Sequence, residues 1–381
     1  PEENYPIIHV TGTNGKGSSI AFMSQLFAEH KKKVGTFTSP HMVSIYDRIC
    51  VNHKPISDKD FVRIGRRIQA MEKQLLRTQD SLSYFEILTL IALLYFEEEQ
   101  VDVALIEVGI GGLLDATNVV IGDVAVVTSV GLDHQETLGD SIVAIAEQKA
   151  GIFKKKERAV IGPLAEEARR VCELRADELG VVLYEHGRDF SFSKGQFSNQ
   201  DKMIVGLQLG LKGTYQEENA AVALQSFLLF MKQQNWQPQV KWIRKALQET
   251  HWAGRLEYFE RGIYLDGAHN LPALSRLVEF ICQQGQKEIF LLFGALKRKN
   301  YQGMLSYLQQ ELPHVQLFVT TFEDDGAANE QDFTNGLYIA SYQDFIEQFI
   351  KSANDNQLLF VTGSLYFIAE VRAFLLEKEI D

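Results

Sequence analysis

Lys16 and Ser18 are the residues whose type and setting point most directly to chemistry. They lie in the stretch Ile7 to Ser18, I-I-H-V-T-G-T-N-G-K-G-S. Ile7, Ile8 and Val10 form a short β-branched run, as a buried strand should. Gly12, Gly15 and Gly17 break it, and a helix is predicted from Ser18 to His30. Strand, glycine loop and helix together form the setting in which backbone N–H groups and a helix N-terminus cradle phosphate. Lys16 adds a mobile positive charge for terminal phosphates, and Ser18 a hydroxyl for phosphate or metal. The strict P-loop pattern fails twice, because Val10 stands where the first glycine belongs and Gly17 follows the lysine. The alternative is a glycine-rich turn with no ligand.

Four further groups fall at the ends of predicted elements. Val34 to Phe37 reads as a strand that Thr38-Ser39-Pro40-His41 must end, because Pro40 cannot continue a central strand. Ser39 and His41 therefore lie at a strand's C-terminal end, where open α/β sheets place ligands. Glu107 closes the apolar run Val101 to Val108, just before Gly109, Gly111 and Gly112. A carboxylate there is placed for Mg²⁺, or is a salt-bridged strand terminus. Asp123 to Val130 ends in Gly131-Leu132-Asp133-His134, which puts His134 at another strand tip, as a ligand or as a local cap. Lys149 ends a helix from Ser141, where it would answer the helix dipole.

The elements that position these residues follow a strand–helix alternation. Helices are predicted from Ser57 to about Arg77, from Ser83 to Glu99, from Leu164 to Leu179, from Gln216 to Lys232 and ending at Trp242 to Glu249. Strands are expected at Arg158 to Ile161 and Val181 to Tyr184, with a short strand at Asp47 to Asn52. An antiparallel patch is expected at Phe190 to Ser193 and Met203 to Leu211. After a join at His251 to Arg255 the alternation restarts. Strands are expected at Leu256 to Phe259, Ile263 to Leu265, Glu288 to Phe293, Val315 to Val319 and Leu358 to Val361. Helices near 271–285, 300–311, 343–352 and 364–377 fall between them. This pattern predicts mostly parallel sheets with crossover helices, and two domains, 1–253 and 254–381.

The 381 residues are 45% hydrophobic and 23% charged, enough for full globular cores. A net charge of −12 argues against broad nucleic-acid or membrane-surface binding. Cys50, Cys172 and Cys282 are odd in number and widely spaced, which predicts a reducing, cytoplasmic setting and no disulfide framework. No apolar run reaches membrane-spanning length. Pro1 lies only a few residues before the first core strand, an abrupt start that suggests a missing N-terminal segment.

Nine motifs in order resemble the folylpolyglutamate synthase/dihydrofolate synthase family of the Mur ligase superfamily. They are HVTGTNGKGS (9–18), TSPH (38–41), EVGIGG with DATN (107–118), TSVGLDH (128–134), EQKAGIF (147–153), ENAA (218–221), AGRLE (253–257), DGAHN (266–270) and TGSLY (362–366). The resemblance implies an N-terminal ATPase domain of P-loop type with a mostly parallel sheet. It also implies a smaller Rossmann-like C-terminal α/β domain and an active site in the cleft between the two. By the same resemblance Thr13, Asn14, Gly15, Lys16, Gly17 and Ser18 bind ATP, with Asn219, Arg255, Asp266 and His269 around the nucleotide. Ser39, Glu107 and His134 would hold one Mg²⁺. Lys149 matches a lysine whose carbamate helps hold a second metal. Lys16, Lys149 and His269 are the implied catalytic groups. The implied substrates are ATP, L-glutamate and a reduced folate or dihydropteroate, and a monomer is the expected state.

The implied chemistry is phosphorylation of a carboxylate by ATP to an acyl phosphate, followed by attack of glutamate's amine. Lys16, Arg255, His269 and Mg²⁺ would supply positive charge. Three departures from the family pattern bear on substrate range. Leu113 stands where an arginine is common, Lys297-Arg298-Lys299-Asn300 replaces a more acidic loop, and the N-terminus is short. Leu113 tilts the expectation towards folate extension alone rather than a bifunctional enzyme that also makes dihydrofolate. A Mur-type peptide ligase would need a further N-terminal domain. A P-loop ATPase without ligase chemistry fits poorly with the set Ser39, Glu107 and His134.

Overall fold

The apolar run ahead of the glycine loop forms β1 (Ile7–Thr11), all five residues of which are buried. In the computed structural model, which describes residues 1–75, 81–155 and 157–378, β1 lies inside an eight-stranded sheet. Its other strands are β2 (Val34–Phe37), β3 (Ile49–Val51), β4 (Lys54–Pro55), β5 (Val103–Glu107), β6 (Val124–Val127), β7 (Arg158–Ile161) and β8 (Val182–Glu185), in the order β4-β3-β2-β5-β1-β6-β7-β8. Only the β2–β3 and β3–β4 pairs are antiparallel. The sequence explains this arrangement. V-A-L-I-E in β5 and V-A-V-V in β6 are buried on both faces and flank β1 in parallel register, as central strands of an α/β sheet must be.

Helices cover the sheet. They are α1 (Lys16–Glu29), α2 (Asp58–Leu75), α3 (Tyr84–Glu98), α4 (Gln135–Leu138), α5 (Ile142–Ala150), α6 (Glu166–Leu179), α7 (Tyr215–Gln233) and α8 (Val240–Glu249). A small antiparallel sheet of β9 (Phe190–Ser193), β10 (Gln196–Asn199) and β11 (Met203–Ile204) precedes α7. Helix α7 runs Ala220 to Met231 without a break in burial. Phe227 and Phe230 meet Phe27 of α1 edge-on at 4.9 and 5.2 Å between ring centroids. Each such buried ring stabilises the fold by about 1.5–3 kcal/mol relative to its exposed state.

A second unit restarts the alternation, with a six-stranded sheet in the order β12-β13-β17-β14-β15-β16. Its elements are β12 (Glu257–Phe259), β13 (Ile263–Leu265), α9 (Leu271–Cys282), β14 (Glu288–Phe293), α10 (Tyr301–Glu311), β15 (Gln316–Thr320), β16 (Leu337–Ile339), α11 (Tyr342–Ser352), β17 (Gln357–Thr362) and α12 (Leu365–Glu377). Only β12 is antiparallel to its neighbour. The first unit comprises Pro1–Gly210 and Gln216–His251, and the second Leu211–Tyr215 and Trp252–Asp381. The short segment Leu211–Tyr215 thus groups with the second unit, although it lies within 1–253.

Several predicted bounds shift. Helix α1 starts at Lys16 rather than Ser18, because Gly15 takes a left-handed φ of 86° and turns the chain two residues earlier. The expected strand Asp47 to Asn52 is half a 3₁₀ turn, Ile45–Arg48, capped reciprocally by Ser44 and Asp47 before β3. The run Met203 to Leu211 keeps only β11 as strand. Strands β4 and β16, two and three residues long, are too short to give a period-2 signal. The predicted end of α2 at Arg77 lies outside the described residues.

Candidate active site

The loop between β1 and α1 is fastened to the segment after β6. Thr13 donates its backbone N–H to Ser129 O at 2.9 Å, and Asn14 donates its own to Ser129 Oγ at 2.9 Å. Asn14 O accepts from Thr128 Oγ1 at 2.6 Å and from Ser129 Oγ at 2.9 Å. The Thr13 hydroxyl lies 3.1 Å from Gly131 O and 3.0 Å from Gly131 N. Gly15, the N-cap of α1, has no side chain with which to cap it. The N-terminal end of the helix dipole lies at the loop, the arrangement that binds phosphate.

Lys16 folds back over this loop, with Nζ donating to Gly12 O at 2.9 Å and to Thr13 O at 3.4 Å. Its Nζ also stands 4.0 Å from Glu107 Oε1. Ser18 is buried, and Gln216 Nε2 donates to its hydroxyl at 3.4 Å. Asn219 Nδ2 donates to Gln216 Oε1 at 2.9 Å, and Asn219 Oδ1 occupies the space a Cβ on Gly15 would need. Thus Gly15 must be glycine for its φ and for the approach of Asn219. Gln216 escaped the sequence reading. Its only signal is the i, i+3 spacing from Asn219 on α7.

Glu107 ends β5 only 3% exposed, and Ser39 donates its backbone N–H to Glu107 Oε2 at 3.0 Å. Ser39, Glu107 and Lys16 are therefore brought together as expected. His134 is the N-cap of α4. It takes a left-handed φ of 50°, and its Nε2 lies 3.9 Å from Asp133 Oδ2. Among the described residues no group of three His, Cys, Asp or Glu side chains is arranged to hold a metal. The hydroxyl and carboxylate oxygens of Ser39 and Glu107 nevertheless suit Mg²⁺. That ion keeps most of its waters and usually takes one or two protein carboxylates beside substrate phosphates.

Lys149 sits in the last turn of α5, but at 3% exposure it is no solvated partner of the helix dipole. Burial pushes its ammonium down to about 7, helped by the charge of Lys16 and opposed by Asp133 and Asp115. Close to neutrality a large fraction is therefore free amine, a nucleophile. The loop after Glu107 is tied to the end of the same helix. Leu113 donates its N–H to Gln148 O at 2.7 Å, and Asn118 Nδ2 donates to Gly151 O at 3.3 Å. The Leu113 side chain lies against Gly151, and the residue is half exposed.

In the second unit the DGAHN and AGRLE loops lock together. Asp266 is buried, and accepts from Leu256 N and Ala268 N, each at 3.0 Å. Burial raises its pKa, against the charge of Arg255. Gly254 O accepts from Gly267 N at 2.9 Å and from Arg255 Nη1 at 3.1 Å. His269 Nδ1 lies 2.8 Å from Gly267 O. A carbonyl only accepts, so that nitrogen carries the proton. Arg255, Asp266 and His269 therefore share one loop pair. Arg372 of α12 supports it, with Nε donating to both Glu257 oxygens at 2.9 and 3.1 Å while Glu257 accepts from Gly254 N at 2.8 Å. Arg372 stands in no motif and carries no signal in the sequence. In the basic loop, Lys297 Nζ is paired with Asp332 at 2.9 Å.

Comparison with known proteins gives the family of the chain. Residues 10–227 match the Mur ligase middle domain, and residues 254–365 the Mur ligase glutamate ligase domain. The folylpolyglutamate synthase of Lacticaseibacillus casei is 34% identical over 99% of this chain and 91% of its own. The dihydrofolate synthase/folylpolyglutamate synthase of Bacillus subtilis is 34% identical over 98% and 91%. The L. casei enzyme in complex with AMPPCP and folate superposes with a TM-score of 0.86 at 33% identity, covering 98% of this chain and 90% of that one. The chain belongs to the folylpolyglutamate synthase family of the Mur ligase superfamily.

Proposed function

We propose that this enzyme, an ATP-dependent folate–glutamate ligase, extends the γ-carboxylate of tetrahydrofolate or its polyglutamates by one L-glutamate. A carboxylate oxygen attacks the γ-phosphorus of ATP, the bond to ADP breaks, and an acyl phosphate forms. The amine of free glutamate then attacks the acyl carbon and loses a proton. Phosphate departs with its C–O bonding pair from the tetrahedral intermediate. The first step mainly needs positioning and charge neutralisation.

The single observation that carries this reading is the meeting of Lys16 and Glu107, 4.0 Å apart, over a glycine loop held by Thr128, Ser129 and Asn219. Thr13, Asn14, Gly15, Gly17 and Ser18 would hold the phosphates with Lys16. Ser39, Glu107 and His134 would hold Mg²⁺, which when bound neutralises phosphate charge. Arg255 and His269 would add positive charge near the phosphates, with Asp266 fixing their loop. Lys149 fits a carbamate ligand for a second Mg²⁺. Its free amine can attack dissolved CO₂, forming an N–C bond and releasing a proton to water. We also assign a cytoplasmic monomer; Cys50, Cys172 and Cys282 are all unpaired, which fits a reducing compartment.

A second reading adds dihydrofolate synthesis from dihydropteroate. The B. subtilis relative, which bears both names, favours it; Leu113, in place of the common arginine, weighs against it. Phosphate release from MgATP and L-glutamate separates the two when tetrahydrofolate, dihydropteroate and no acceptor are compared. Release with tetrahydrofolate alone is expected. Release with both acceptors establishes the bifunctional enzyme, and release with neither overturns the substrate assignment.

A further inference from the structure

His9 is an imidazole in the middle of a core strand, 1% exposed, in register between Ile106 of β5 and Ala125 of β6. Its Nε2 lies 2.9 Å from Thr117 Oγ1, and that hydroxyl donates to Asp115 Oδ1 at 2.6 Å. A hydroxyl has one proton to give. Because the hydroxyl directs that proton to the Asp115 carboxylate, His9 must donate from Nε2, and Nδ1 keeps a lone pair. Among the described residues Nδ1 has no hydrogen-bond partner. Burial, and secondarily the charge of Lys154, holds the ring neutral by lowering its pKa to about 3. An unpaired buried nitrogen is destabilising, a cost that an aliphatic side chain in a core strand would not carry.

That cost is matched by what the chain of hydrogen bonds reaches. Asp115 Oδ1 also accepts from Thr117 N at 3.0 Å, and its Oδ2 accepts from Ile110 N at 3.0 Å. The carboxylate thereby pins the turn immediately after Glu107, and its charge acts on Lys149. We infer that His9 is a positioning residue for the ligase reaction: through Thr117 it orients Asp115, and so sets the loop that separates Glu107 from Lys149. This rests on the reading above that Glu107 and Lys149 serve the reaction. No atom of His9 needs to touch a substrate.

The test is atom-specific. In His9→Gln the amide nitrogen reaches the place of Nε2; in His9→Asn it reaches only that of Nδ1; in His9→Leu there is no donor. Loss of a supporting hydrogen bond of this kind lowers activity by about 10- to 100-fold. That loss in kcat is expected for His9→Asn and His9→Leu, with KM for ATP unchanged, while His9→Gln stays near wild type. Thr117→Val should add little to His9→Leu, because both cut one chain. Equal loss in Gln, Asn and Leu, tracking a loss in Tm, reduces His9 to a packing residue and overturns the inference. If the variants fail to fold, ¹⁵N-histidine NMR of the wild-type enzyme decides. A proton held on Nε2 with a bare Nδ1 from pH 5 to 8 is expected, and a proton on Nδ1 overturns the relay. A wild-type enzyme that releases no phosphate with any folate acceptor would sink the ligase reading instead, leaving the NMR result to judge the relay.

Discussion

At the residue scale, Glu107 carries two different partners on its two oxygens. Oε2 takes the Ser39 N–H, and Oε1 faces Lys16. Glu107→Gln keeps the shape and removes the negative charge, so cation affinity should suffer more than folding. The Mg²⁺ concentration for half-maximal phosphate release is expected to rise about 10- to 100-fold. An unchanged titration would take Glu107 out of the metal site. Lys16, Ser18 and Glu107 were legible in the sequence because glycines and strand ends frame them, whereas Asn219, inside α7, came only from the family resemblance. Three features were not legible. The pairing of His134 with Asp133 depends on a left-handed turn. The depressed Lys149 depends on burial that its helical position does not announce. Gln216 shows only an i, i+3 spacing from Asn219, and Arg372 acts through a side-chain contact that no spacing encodes.

At the element scale, the strands that read most clearly were those buried on both faces. β5 and β6 are apolar apart from the closing Glu107, and β1 is broken only by His9 and Thr11, a pattern that burial in a parallel sheet demands. The failures sit where turn chemistry competes, as in the Ser44–Asp47 capping box before β3, or where a strand is two or three residues long. The N-terminal edges of β6 and β7 add a titrating contact. Glu157, 4% exposed, accepts from Gly122 N and Lys154 N, each at 2.8 Å. Lys154 Nζ donates to Asn118 O and Val120 O on the same segment. Burial raises the Glu157 carboxyl to about 7, with Lys154 opposing and Asp123 adding. The folded state therefore holds a proton that the unfolded chain releases near pH 4.5. The resulting stabilisation is full below that pH and fades as pH rises through about 7, an effect on the order of 3 kcal/mol. Tm should fall from pH 5 to pH 8, and Glu157→Gln should flatten that fall. An equal slope in the variant would assign the effect to other groups.

At the scale of the whole molecule, the two units have separate apolar cores. One is built around Phe37, Phe96 and Ile106, and another around Leu291, Phe293 and Phe360. The phosphate loop belongs wholly to the first. Calorimetry should therefore resolve two transitions, of which MgADP raises the one containing the first unit. Saturation at about 100 times Kd contributes about 2.7 kcal/mol. A single transition shifted as a whole would mean that the units unfold together. The two-unit layout itself was legible because the strand–helix alternation restarts after His251.

The segment Leu211–Tyr215 has a consequence for any attempt to separate the two units. It falls inside the stretch matched by the middle domain, 10–227, yet its side chains complete the other unit. Lys212 Nζ lies over the rings of Tyr258 and Tyr264, at 4.6 and 4.9 Å, and Tyr215 packs on the second core. A gene fusion that took only the stretch from Trp252 onward would leave these two aromatic faces without their cation. The second unit is therefore built from two separate stretches of the chain, and a fragment that starts at Trp252 should be less stable than one that also keeps residues 211–215.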